Sequence, residues 1–200
     1  MIDHAPYNAI AGIYDDIHRT PDAEAEDRET FAALDYRGGS VLDIGCGTGL
    51  FLDHVRPDLY VGVDPSLGML QQLRRRHPDA FVFKTRFEEF ETIGGYDLIV
   101  GLYGSPNYVE AGALRRIPKL LTPHGRYFLM FYRPGYTPVT YKRSGVTIPH
   151  HKHIPSEVMP GGRLTSAGNF IIVRGGAYEV RHVRDARALA AHSGDEAAVA

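Results

Sequence analysis

The stretch Val41-Leu42-Asp43-Ile44-Gly45-Cys46-Gly47-Thr48-Gly49 constrains this chain more than any other. A short apolar strand runs straight into a turn holding three glycines, and 50–55 then reads as the start of a helix. Close-spaced glycines let a backbone bend sharply and let a ligand approach without Cβ obstruction, while the following helix start presents unpaired amides. Such a strand, turn and helix form a cradle of nucleotide type. The dinucleotide fingerprint would need its third glycine at position 50, which is Leu50; the third glycine here is Gly49, a spacing that argues against a nicotinamide cofactor.

The surrounding sequence repeats the same alternation. Short apolar runs at 41–44, 59–63, 80–83, 97–102 and 125–131 are separated by helix-like stretches, the pattern of strand, crossover helix and parallel strand. The runs are nearly continuous hydrophobics, as expected of strands covered on both faces. Ser66 is placed to cap a helix over 67–77, where Leu67, Leu70 and Leu73 recur at helical spacing and Pro78 follows. A second helix is expected over 110–121, before Pro123 and Gly125, and an amphipathic one over 22–34, with Pro21 at its start and Gly38-Gly39 beyond its end. The segment 134–162 holds five prolines and no sustained period, so it is expected to be a partly ordered excursion. Strands at 170–173 and 178–183 and a short helix at 184–191 complete the reading. The expected fold is α/β: a doubly wound, mostly parallel, seven-stranded Rossmann-like sheet with helices on both faces. Its 200 residues fit one domain, with cap helices over 1–38, a core over 39–133 and a lid over 134–192.

Composition excludes other classes. With 44% of residues apolar and one cysteine, Cys46, the chain reads as an ordinary globule in which an internal disulfide is impossible. Lys and Arg number 22 against 24 Asp and Glu, a net charge of −2, so no cationic excess is available for broad nucleic-acid binding. Residues 1–11 carry Asp3 and His4 where a leader would be cationic, and nowhere do about 18 apolar residues run together. No membrane partner is expected, and the expected location is the cytoplasm.

A second element supports a nucleoside ligand. Val61-Gly62-Val63-Asp64 ends the next strand with an acid about 20 residues after the first glycine, where a carboxylate can accept hydrogen bonds from both ribose hydroxyls. The bland alternative for Asp64 is a cap for the helix after Pro65-Ser66.

On these residues the sequence resembles the class I S-adenosylmethionine-dependent methyltransferases of small-molecule type. The likeness is carried by 41–49, by Val63-Asp64-Pro65-Ser66 with Met69, by 97–104 including Leu102, and by Tyr7-Asn8-Ala9-Ile10-Ala11-Gly12-Ile13-Tyr14-Asp15, similar to the family's amino-terminal cap. It implies S-adenosyl-L-methionine as cofactor. Gly45, Cys46 and Gly47 would line the turn, Asp43 would orient the amino-acid end, and Asp64 would hold the ribose. Pro65, Met69 and Leu102 would line the same site. Family members often bind the adenine amine with an acid after the third strand. Here that place reads Lys84-Thr85-Arg86-Phe87-Glu88-Glu89, so that Arg86 would lie flat on the purine and the Phe87 amide would reach a ring nitrogen. The alternative is a surface Arg86 paired with Glu88 or Glu89.

Methyl transfer from a sulfonium relies mainly on in-line positioning, and a base is useful only where the acceptor must lose a proton. The likeness sets Tyr14 and Tyr103 toward sulfonium and acceptor, although both could be core aromatics with a polar tip. His150, His151 and His153 cluster in the excursion, and His153 is the candidate proton acceptor; no Cys or carboxylate partner nearby supports a metal. Ser105-Pro106-Asn107-Tyr108 departs in register and content from the Asn-Pro-Pro-Tyr signature of enzymes that methylate planar nitrogens, and reads as an acceptor-pocket loop. Arg74-Arg75-Arg76 is explained by the helix dipole. Cys46 is a small apolar filler, with no histidine partner to make it a nucleophile. The expected function is methyl transfer to oxygen or nitrogen of a small molecule. The alternatives are a non-catalytic cofactor-binding scaffold, revealed by binding without turnover, and an RNA methyltransferase, revealed by salt-sensitive RNA binding.

Overall fold

The computed structural model describes residues 5–137, 144–146 and 148–177. Seven strands form one sheet in the order β3-β2-β1-β4-β5-β7-β6. They are β1 (Ser40–Ile44), β2 (Leu59–Asp64), β3 (Phe81–Lys84), β4 (Tyr96–Gly101), β5 (Leu121–Tyr132), β6 (Arg163–Ala167) and β7 (Phe170–Gly176). The first five pair in parallel, whereas β7 pairs antiparallel with both β5 and β6. The chain order reverses between β1 and β4, and ligands of open α/β sheets bind beyond the carboxyl ends at such a switch point.

Alternation within the strands builds two cores. Leu42, Ile44, Ile99, Leu129 and Phe131 belong to the cluster on one face. Val41, Leu98, Val100, Phe128 and Met130 belong to the cluster on the other. Each of these side chains is almost fully buried, and each contributes about 1.5–3 kcal/mol relative to exposure.

Helices α1 (Ala5–Ile10), α2 (Tyr14–His18) and α3 (Pro21–Leu34) precede the sheet, and α4 (Leu50–His54) and α5 (Leu67–Arg76) follow β1 and β2. The Ser66 hydroxyl caps α5 by accepting the Met69 amide at 3.3 Å, as its sequence position predicts. Thr20 caps α3 in the same way, and that helix ends through a left-handed Asp35, φ 50°, ahead of the two glycines expected to stop it.

Three sequence expectations are corrected. The helix expected over 110–121 is two short ones, α6 (Ala111–Leu114) and α7 (Ile117–Leu120). Pro118 sits in the first turn of α7, where its missing N–H costs nothing, and it cannot continue α6. Second, β5 begins at Leu121, four residues before the expected start at Gly125, across a register shift against β4 between Tyr96 and Leu98. Third, β6 was not expected at all: Arg163-Leu164-Thr165-Ser166-Ala167 is a largely exposed edge strand with no apolar alternation. The strand and helix expected at 178–183 and 184–191 lie outside the described residues.

Candidate functional site

At the carboxyl end of β1 the chain bends through Gly45, Gly47 and Gly49, each at positive φ (70°, 52° and 94°). The Gly45 and Cys46 amides both donate to the Val63 carbonyl, at 2.8 and 3.1 Å, which ties the turn to β2. A Cβ at position 45 would stand 2.7 Å from Ser105 Cβ, so Gly45 is required by packing. A Cβ at position 47 would meet nothing closer than a carbonyl oxygen at 3.9 Å, because Gly47 faces an open cleft.

Asp64, at the end of β2, closes the turn. One carboxylate oxygen accepts the Gly47 amide at 3.0 Å and the other the Ser66 amide at 2.8 Å. Burial pushes its pKa up to about 6, partly offset by those two amides. Asp43 is 3% exposed and accepts the Tyr60 hydroxyl at 2.9 Å. Its pKa is pushed up to about 7 by burial, with Asp64 adding to the rise and Tyr60 opposing it. Burial, then the two aspartates, drives the Cys46 thiol well above its ordinary range, which fits an inert filler and not a nucleophile.

These shifts set a pH dependence. Both folded-state values lie above the ordinary 3.8, so the folded chain takes up protons that the unfolded chain does not, and stability falls as pH rises through roughly 4 to 7. Asp43→Asn is expected to flatten that slope in thermal melts taken between about pH 5 and 8. A slope equal to that of the parent would show that Asp43 is ionised throughout.

The cleft encloses about 950 Å³ of empty space including its open mouth. It gathers the residues expected from sequence: Asp43, Gly45, Cys46 and Gly47 from the turn; Asp64, Pro65 and Met69 from β2 and α5; Arg86 and Phe87 after β3; and Leu102 after β4. Tyr14 and Tyr103 line it as well. His153 does not: its ring lies against Phe131, and its Nε2 donates to the Val109 carbonyl at 2.8 Å. Tyr103 lines the cleft with its ring, but its hydroxyl donates to Asp27 of α3 at 2.5 Å. The Tyr103→Phe variant is therefore expected to lose about 1.5–3 kcal/mol of stability, the range for a hydrogen bond to a charged group. Unchanged chemical denaturation would remove that strut from the account.

Tyr108, from the 3-10 turn Ser105–Tyr108 read from sequence as an acceptor-pocket loop, lines the cleft, and so does Tyr7 from α1, which was not among the expected site residues. Tyr7 meets Tyr108 and Tyr14 edge-on, with centroids 5.6 and 6.2 Å apart. Burial raises the Tyr7 and Tyr14 hydroxyls well above their ordinary range, so they stay protonated. The cap is pinned over this wall at two points. Asn8 Oδ1 accepts the Ser66 hydroxyl and the Gly68 amide, at 2.9 and 2.8 Å, and Asp15 accepts the Thr48 hydroxyl at 2.6 Å. Asn107, 2% exposed, holds the excursion down: its Nδ2 donates to the His151 carbonyl at 2.8 Å and its Oδ1 accepts the Tyr132 amide at 2.9 Å. That leaves His150 against the Tyr108 and Tyr132 rings.

The residues present suit an adenosyl ligand carrying an amino-acid tail. Two buried carboxyls, Asp43 and Asp64, face a cleft whose wall leaves open space at Gly47, where any other residue would project a Cβ. No group of three or more metal-ligating side chains occurs among the described residues. No helix among them is long and apolar enough to cross a membrane.

Comparison with known proteins agrees with this geometry. Residues 42–127 match the model of a methyltransferase domain. The dTDP-3-amino-3,6-dideoxy-α-D-glucopyranose N,N-dimethyltransferase of Streptomyces fradiae is 26% identical over 167 residues, 74% of this chain. The dTDP-3-amino-3,4,6-trideoxy-α-D-glucopyranose N,N-dimethyltransferase of Streptomyces venezuelae is 25% identical over 163 residues, 73% of this chain. The chain spans 66% of the length of each of these curated relatives. Among solved structures, an S-adenosylmethionine-dependent methyltransferase of Thermotoga maritima, described as a possible histamine N-methyltransferase, superposes with a TM-score of 0.66. It is 18% identical, covering 86% of this chain and 98% of that one.

Proposed function

Residues 42–127 form a domain of the class I S-adenosylmethionine-dependent methyltransferase family, and from that premise we propose that the chain methylates the amine nitrogen of a small molecule. The observation that carries the reading is the convergence of Gly47, Asp64 and three tyrosines, Tyr7, Tyr14 and Tyr108, on one cleft at the switch point of the sheet.

When bound, S-adenosylmethionine supplies an electrophilic methyl group on a sulfonium. The chain's residues bind and orient around it. In this reading Asp64 accepts the ribose hydroxyls, Asp43 orients the amino-acid end, and Arg86 lies along the purine with the Phe87 amide beside it. Tyr14, pinned through its neighbour Asp15 to Thr48, faces the reacting centre, where its hydroxyl oxygen accepts an N–H of the acceptor amine and leaves the nitrogen lone pair free to point at the methyl group.

The lining of the cleft supports nitrogen over oxygen. The tyrosine hydroxyls are held protonated, Asp43 and Asp64 stand at the cofactor end, and Glu88, beside Arg86, accepts the Glu110 amide at 2.7 Å. No histidine is among the described lining residues. A hydroxyl acceptor needs a base to remove its proton; a neutral amine brings its own lone pair and sheds a proton to water at the open mouth. The amino-sugar activities named for the curated relatives support the same acceptor atom.

The test incubates the chain with S-adenosylmethionine and dTDP-3-amino-3,6-dideoxy-α-D-glucopyranose, histamine, and a matched panel of phenols and carboxylates, with S-adenosylhomocysteine as the readout. Turnover confined to amines is the expected result. Turnover confined to phenols or carboxylates contradicts the nitrogen assignment. Cofactor binding without turnover on any acceptor would favour a scaffold.

A further inference from the structure

The Tyr60 side chain crosses from β2 to β1 next to the glycine turn. Register sets Asp43 of β1 directly opposite Gly62 of β2, so Tyr60, two residues back on the same face of β2, is its diagonal neighbour. Diagonal pairs on a sheet lie within reach of an aromatic side chain. The position between them is bare: a Cβ at 62 would stand 3.0 Å from the Tyr60 hydroxyl and 2.8 Å from Cys46 Sγ. Gly62 is therefore the gap across which Tyr60 reaches β1, where its hydroxyl donates to Asp43 Oδ2 at 2.9 Å.

Packing accounts for the Tyr60 ring and not for its hydroxyl. The ring is buried in the core cluster on that face and stacks on Phe51 of α4, with centroids 6.0 Å apart and an interplanar angle of 24°. Phenylalanine would fill the same space without a buried polar group to satisfy. The hydroxyl gains its use from its partner. Asp43 lines the cofactor cleft, and among the described residues the Tyr60 hydroxyl is the hydrogen-bond donor to its carboxyl. With Oδ2 held, the carboxyl is fixed in one orientation and Oδ1 is the oxygen left for a ligand. A group already held has less freedom to lose on binding. The same hydrogen bond opposes the rise in the Asp43 pKa caused by burial and by Asp64, and so favours the ionised form that a cationic ligand needs.

We propose that Tyr60 is a positioning residue for the cofactor: by holding Asp43 Oδ2 it aims the carboxylate at the ammonium group of the amino-acid tail. The inference rests on the reading above in which Asp43 meets that tail. It gives β2 a second contribution to the site besides Asp64, made through β1 and not by contact with the ligand.

The experiment measures calorimetric dissociation constants on the full chain and on Tyr60→Phe for two ligands: S-adenosylhomocysteine, and 5′-methylthioadenosine, which shares the adenosyl thioether and lacks the amino-acid tail. Tyr60→Phe is expected to weaken S-adenosylhomocysteine about 3- to 10-fold, the weight of one hydrogen bond, and to leave 5′-methylthioadenosine within about twofold. In an Asp43→Ala background, where the hydroxyl has no carboxyl to hold, the same change is expected to have no further effect on either ligand. Should Asp43→Ala fold poorly, the two-ligand comparison on Tyr60→Phe decides alone. An equal loss for both ligands would mean that the hydroxyl braces the turn as a whole, and overturns the proposal. So does an unchanged S-adenosylhomocysteine affinity in Tyr60→Phe where Asp43→Ala has lowered it, a result that leaves Asp43 in its place. If Asp43→Ala keeps the parent's preference for S-adenosylhomocysteine over 5′-methylthioadenosine, the reading of Asp43 fails and the proposal with it.

Discussion

Replacing Gly47 with valine is expected to weaken S-adenosylmethionine binding by at least about 100-fold, with little loss of the sheet itself. Two effects add. Gly47 sits at φ 52°, a conformation that costs a non-glycine residue about 1–3 kcal/mol and a β-branched one most of all. Its Cβ would also project into the open cleft, since no atom lies nearer than 3.9 Å, and the isopropyl group would stand where the ligand must lie. Gly45→Ala is the useful contrast. There the added carbon meets Ser105 at 2.7 Å, so the damage falls on folding before it falls on binding. Native affinity in a folded Gly47→Val protein, measured calorimetrically, would mean that the turn is not the cradle.

Asp64→Ala is expected to cost about 1.5–3 kcal/mol of cofactor affinity, roughly 10- to 150-fold, the range for hydrogen bonds to a charged group. The carboxylate has two jobs in the structure. It already holds the Gly47 and Ser66 amides and so ties the turn to the segment before α5, whose cap is Ser66 and not Asp64, and its place on the cleft wall leaves remaining lone pairs for ribose hydroxyls. Asp64→Asn separates the two. It keeps one acceptor oxygen and loses the charge, so its affinity should fall between those of alanine and the parent. Unchanged affinity in both variants would reduce Asp64 to a cap for the turn.

The fold was legible where burial is two-sided. Strands β1 to β5 are read from nearly continuous apolar runs because both their faces are covered, and Ser66 and Gly45, Gly47 and Gly49 mark the helix start and the bend in local chemistry alone. Strand β6 was invisible because it is an exposed edge whose pairing with β7 leaves no apolar trace in its own residues. The break between α6 and α7 was legible in Pro118 and was passed over in favour of the apolar spacing around it.

At the cleft, the lining residues that belong to contiguous motifs were legible, as were Tyr14, Tyr103 and the 105–108 loop, whereas the contacts that hold the tyrosine wall were not. That wall is assembled from the cap and the turn after β4 by long-range contacts. Asn107 finds its partner at His151, 44 residues away, and Tyr103 turns its hydroxyl to Asp27, 76 residues away; neither separation leaves a periodic signal. His153 illustrates the converse. A histidine in a loop after the fifth strand invites a catalytic reading, and only tertiary packing shows its ring nitrogen already committed to the Val109 carbonyl.

The most direct test of the central claim is a crystal structure grown with S-adenosylhomocysteine in excess. The account predicts the nucleoside seated over 45–49, its ribose hydroxyls within hydrogen-bond distance of Asp64 and its sulfur turned toward the Tyr7, Tyr14 and Tyr108 rings. A cleft still empty under those conditions, or the ligand bound elsewhere on the sheet, would contradict it.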